Sequence, residues 1–119
     1  MRRDWDVVRK ILFKLEELGN VTSFLRHDQV NGYDPELVAY HMQLLNEAGL
    51  IKAHCTLTMT GLQCAAQTMT WSGHEFLDQI RQDTVWNKVK TGAREKGLDL
   101  SFGVIVKIAK SVIASILDD

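Results

Sequence analysis

The sequence has 119 residues, 45% of them apolar, and 14 Lys and Arg against 15 Asp and Glu, which suits a single core-forming domain of net charge -1. That balance excludes a histone-like or polybasic protein, whose surplus cations would dominate its partners. Apolar runs fall far short of the ~20 residues of a membrane helix, the start lacks the apolar core of a signal peptide, and two cysteines make no disulfide framework. A cytosolic, soluble chain is expected.

In chain order, Asp4 can cap a first helix, with Asp6 favourably placed in its first turn. Val8, Ile11, Leu12, Leu15 and Leu18 follow at helical spacing, and Gly19 is expected to supply a left-handed stop. Asn20 to Tyr33 has no sustained period; Val21 to Leu25 can form a short strand, and Asn31-Gly32 signals a turn. Asp34-Pro35 opens a second helix as cap and first position. Its apolar face is Leu37, Val38, His41, Leu44, Leu45 and Ala48, and Gly49 ends it.

At Leu50 the period changes to two. Ile51, Ala53, Cys55, Leu57 and Met59 alternate with Lys52, His54, Thr56, Thr58 and Thr60, which predicts a strand with the first set facing inward. Gly61 falls in the turn. The return strand spans about Ala65 to Trp71, with Met69 and Trp71 on the inner face. Ser72-Gly73-His74-Glu75 then reads as a capping box for a helix that buries Phe76, Leu77 and Ile80. Asp83 or Thr84 restarts the chain for Val85, Trp86 and Val89, Gly97 stops it, and Ser101 caps a last, strongly apolar helix.

The run Tyr40-His41-Met42-Gln43-Leu44-Leu45-Asn46-Glu47-Ala48-Gly49-Leu50-Ile51 resembles an uncharacterised family of domains encoded in prophages and bacterial genomes. Thr70-Trp71-Ser72-Gly73-His74-Glu75-Phe76-Leu77-Asp78-Gln79-Ile80-Arg81, with Asp83, Trp86 and Lys88 beyond it and Arg2-Arg3-Asp4-Trp5-Asp6 at the start, extends the resemblance over nearly the whole chain. It implies a winged-helix-like fold and a phage-related origin within a bacterial host cell. It brings no established activity and no site residues. The fold expected is therefore mainly α with a small β-hairpin (α+β), a winged-helix-like core over about 1–83 and a helical extension over about 84–119 of one domain.

Metal chemistry and catalysis find little footing. His74-Glu75-x-x-Asp78 has the outline of a zinc-protease helix, but Asp78 stands where a second histidine belongs and no third ligand is evident. Cys55 and Cys64 with His54 and His74 match no zinc spacing, and Cys55 reads as a buried thiol. His41 reads as a core histidine with its ring satisfied. There is no phosphate-cradling glycine loop, nucleophile elbow or carboxylate pair, so no catalytic residue, metal or cofactor is assigned and no enzyme is expected.

A winged helix ordinarily reads DNA with the helix before its hairpin. Here His27 to Ile51 carries Asp28, Asp34, Glu36 and Glu47 and no Lys or Arg, and the tip Thr60-Gly61-Leu62-Gln63 has no cation. No convincing positioning helix precedes it. Candidate nucleic-acid contacts therefore fall elsewhere, at Arg2, Arg3, Lys88, Lys90, Arg94 and Lys96. The last helix is apolar around most of its circumference, which calls for burial on more than one side. Phe102, Ile105, Ile108, Val112, Ile113 and Ile116 are its candidate interface residues, and a symmetric homodimer is expected. A membrane-surface role fits poorly, because Asp118 and Asp119 oppose its two lysines. The leading expectation is a non-enzymatic module acting through protein contacts, with a protein partner or itself. The alternative is a DNA-binding regulator that uses the basic positions.

Overall fold

The computed structural model describes residues 1–118. Helix α1 runs Trp5–Glu16, strand β1 Leu25–Arg26, helix α2 Pro35–Glu47, strands β2 and β3 Ile51–Thr58 and Gly61–Met69, then helices α3 Trp71–Ile80, α4 Asp83–Glu95 and α5 Phe102–Leu117. A 3-10 turn, His27–Gln29, follows β1. The three strands form one antiparallel sheet in the order β1-β3-β2, so the chain is mainly α with a small sheet, an α+β fold. It divides into two compact units, 1–74 and 75–119, each with its own packing.

In the first unit, Asp4 caps α1 as its sequence position demands: its Oδ1 accepts from Asp6 N at 2.9 Å. Val7, Val8, Ile11 and Leu12 then bury one face of the helix, and Val38, Ala39, Met42 and Leu45 do the same for α2. Asp34 occupies the cap position of α2, but its side chain makes no capping bond; Pro35 needs none, and the Asp34 carbonyl accepts from Val38 N at 3.0 Å. Gly19 is not left-handed. The helix ends earlier, at Glu16, with Glu17 still in right-handed geometry, whereas Gly49 and Gly97 do provide the expected stops at φ 77 and 67°.

The strand expected over Val21 to Leu25 is reduced to Leu25–Arg26, and β2 ends at Thr58 instead of Thr60. Strand β3 begins at Gly61, earlier than expected, because Thr58 pairs directly with Gly61 and leaves a two-residue turn, with Gly61 at φ 119°. Trp71 does not close the strand on an inner face. It begins α3 and is 79% exposed.

The cap of α3 is also displaced from the expected Ser72. Thr70 Oγ1 accepts from Gly73 N at 3.1 Å and donates to Gly49 O at 2.6 Å, while Thr70 N donates to Leu50 O at 3.0 Å. This places Gly73 against the Leu50 carbonyl, which a Cβ there would overlap, and that Cβ would also come within 2.7 Å of Met69 Cγ. Glycine is required at that point by the close approach of the backbone.

In the second unit, Val85, Trp86, Val89 and Ala93 of α4 are buried, as are Ile105 and Ala109 of α5. Helices α4 and α5 meet at Gly92, where a Cβ would lie in ordinary contact, 3.5 Å from Ile108 Cγ2. Phe76 stacks on Phe102 with centroids 4.8 Å apart. Ser101 caps α5 as expected, accepting from Val104 N at 3.2 Å.

Candidate interaction surface

Of the site residues anticipated for nucleic acid, Arg2 and Arg3 belong to the first unit and Lys88, Lys90, Arg94 and Lys96 to the second. Arg2 is exposed, and Arg3 lays its guanidinium 4.6 Å from the centre of the Trp5 ring. Lys88 and Arg94 are exposed on α4, while half-buried Lys90 holds its ammonium 5.6 Å from the Trp86 ring. At 100° per residue Lys90 and Arg94 share one edge of the exposed face of α4, and Lys88 lies on the opposite edge with Glu95. Lys96 belongs to another feature, a cleft of about 240 Å³ formed with Leu98, Val104, Lys107, Ile108 and Ser111.

Helix α2 is poorly equipped to read bases. Glu36 and Glu47 are exposed, and Asn46, the one amide that could serve beside half-buried Gln43, is already engaged. Its Oδ1 accepts from Ala53 N at 3.0 Å, at the register shift between Lys52 and Ala53. A bulge leaves an N–H without a strand partner, and the Asn46 side chain satisfies it. Between α1 and α2 lie a two-residue strand and a 3-10 turn, with no helix to act as a positioning element.

The cysteines are not free thiols. Cys55 and Cys64 stand directly opposite each other on β2 and β3, Cα atoms 4.1 Å apart, and form a disulfide. The expectation of a buried thiol at Cys55 fails because sequence spacing does not show register: a nine-residue separation across a two-residue turn puts the pair face to face. Beside it, His27 Nδ1 accepts from Cys64 N at 3.3 Å and carries the ladder on where β1 ends.

His41 is fully buried with both ring nitrogens used, as its position on the apolar face suggested. Nε2 accepts from Asp4 N at 2.8 Å, so Nδ1 carries the proton and donates to Leu37 O at 2.8 Å. Nearby, burial, with the carboxylates of Asp6 and then Asp4, raises the Tyr33 phenol, which keeps it neutral. His74, Glu75 and Asp78 are exposed, and Asp78 pairs with Arg81 at 3.0 Å. Among the described residues no group of three His, Cys, Asp or Glu is placed to hold a metal.

Helix α5 leaves much of its apolar surface uncovered. Two of its sixteen residues are buried, Ile105 and Ala109, so Ile105 belongs to the core. Ile108, Val112 and Ile113 are half-buried, whereas Phe102 is 44%, Ile116 48% and Leu117 78% exposed. Leu117 lies outside the six candidate interface positions, although it ends the same run of apolar residues. Of the acidic pair set against the lysines, Asp118 caps the helix and Asp119 lies outside the described residues. No helix among the described residues is long and apolar enough to cross a membrane.

Residues 2–99 match the family model described as "Hypothetical protein (DUF2513)", a span that ends before α5. An "Uncharacterized protein" of Haemophilus influenzae (strain ATCC 51907 / DSM 11121 / KW20 / Rd) is 44% identical over 117 residues, covering 98% of this chain and 99% of that protein. No solved structure matches. A family model that takes in nearly all of the chain before α5, together with a relative alike from end to end, fixes the kinship: the chain belongs to the DUF2513 family.

Proposed function

We propose that this chain is a non-enzymatic, winged-helix-like interaction module of phage type that works through protein contacts and self-associates through α5. The observation that carries this reading is the exposure of Phe102, Ile116 and Leu117 on a helix that buries two residues of sixteen. Covering a fully exposed leucine recovers about 1.5–3 kcal/mol, which a second protein surface can supply and solvent cannot. The order helix, short strand, helix, hairpin supports the winged-helix part of the reading.

Sedimentation velocity over a micromolar concentration series tests it. Wild-type protein is expected to move from monomer to dimer, and Leu117→Lys to remain monomeric with unchanged circular dichroism. A monomer throughout for the wild type overturns the reading. DNA binding is the second reading, favoured by the exposure of Arg2, Lys88, Arg94 and Lys96. It ranks below because α2, the usual reader, is acidic and its Asn46 is occupied.

A further inference from the structure

The uncovered face of α5 has an internal symmetry. At 3.6 residues per turn, Phe102, Val106, Ile113 and Leu117 fall within about 60° of arc, beside the buried stripe of Ile105 and Ala109. All four keep accessible surface, Val106 and Ile113 in part and Phe102 and Leu117 widely. Their spacings are four, seven and four, so the stripe reads the same in both directions about a point between Ala109 and Lys110. A twofold axis brings a patch against itself, and an antiparallel helix pair needs a stripe with this palindromic spacing.

We propose that the occupant of this face is α5 of a second copy, antiparallel, with the dyad passing between Ala109 and Lys110. This rests on the self-association reading and adds the register. Phe102 then packs on Leu117 of the second copy and Val106 on Ile113 of the second copy, each contact occurring twice. Ala109, beside the dyad, is already buried within its own protomer and bounds the seam on that edge. The seam from residue 102 to 117 is about 22 Å long at 1.5 Å per residue, at the small end of interface sizes. The two Lys110 residues flank the dyad on the same edge. Their repulsion is relieved by added salt, so the dimer tightens as ionic strength rises.

Oxidative cross-linking of exposed single-cysteine variants tests the register, because the native pair Cys55–Cys64 is already bonded. Lys110→Cys is expected to join its counterpart across the dyad, where two Cα atoms come within disulfide reach. Leu117→Cys is expected not to join itself, since the two copies of residue 117 lie at opposite ends of the seam. A second test uses charge. Val106→Glu and Ile113→Lys should each dissociate the dimer, and the double variant should restore it, because each glutamate then faces a lysine. A dimer by sedimentation in which Leu117→Cys links to itself, Lys110→Cys fails to link, or the double variant stays monomeric overturns the antiparallel register and leaves self-association standing. A wild-type monomer overturns both.

Discussion

Thr70 joins three things with one hydroxyl and one N–H: the end of β3, the C-terminal turn after α2 and the first turn of α3. Removing the hydroxyl leaves the Gly73 N–H and the Gly49 carbonyl each short of a partner. Thr70→Ala is therefore expected to cost about 1–2 kcal/mol in a denaturant melt. Thr70→Ser should retain most of that stability. Ser72→Ala, at an exposed position inside the helix, should change it by less than about 0.5 kcal/mol. Equal losses at 70 and 72 would contradict the observed cap. The sequence shows two hydroxyls two residues apart and no means of choosing between them. The choice is made by the Leu50 carbonyl, which pins Thr70 N and leaves room at residue 73 for a glycine alone.

Among the elements, the hairpin combines local regularity with a covalent tie. Reduction of the Cys55–Cys64 bond frees a loop of about ten residues in the unfolded chain, a chain-entropy effect of about 2.7 kcal/mol. Dithiothreitol is expected to lower the unfolding free energy of wild-type protein by that amount in a denaturant melt and to leave that of the Cys55→Ser/Cys64→Ser double variant unchanged. The alternation that marked β2 was legible, yet it put Leu57 and Met59 inside, and they are 80% and 105% exposed. Period two reports which residues share a face and not how far along the strand that face remains covered; here cover is complete at Ile51, partial by Cys55 and gone at the tip. Caps at Asp4 and Ser101 were legible because their hydrogen bonds span two or three residues. The bond from Asn46 to Ala53 was not, since it answers a register shift that depends on the partner strand. The core role of His41 could be read from helical spacing, while its bond to Asp4, 37 residues away, could not.

For the molecule as a whole, charge is evenly divided. Residues 1–74 carry seven Lys and Arg against eight Asp and Glu, and residues 75–119 carry seven of each, so neither unit is a basic module. Any duplex binding is then expected to be weak and to come from scattered contacts at Arg2, Lys88, Arg94 and Lys96. Replacing one contacting cation by alanine should reduce the magnitude of the salt slope by about 1 in a fluorescence titration, with no change in sequence preference. Tight operator-specific binding lost on substitution of Gln43 would instead make α2 a reader and reverse the order of the two functional readings.

The bond between Cys55 and Cys64 also turns residues 56–63 into a side loop of the covalent chain. A protease that cut the exposed tip at Leu57 or Met59 would interrupt the order of residues without dividing the molecule. Everything up to Cys55 and everything from Cys64 onward would stay joined through sulfur, and β3 would keep its pairing with β1. The most accessible apolar part of the first unit is thus a place where the chain can be nicked, trimmed or extended while its two flanks remain one particle.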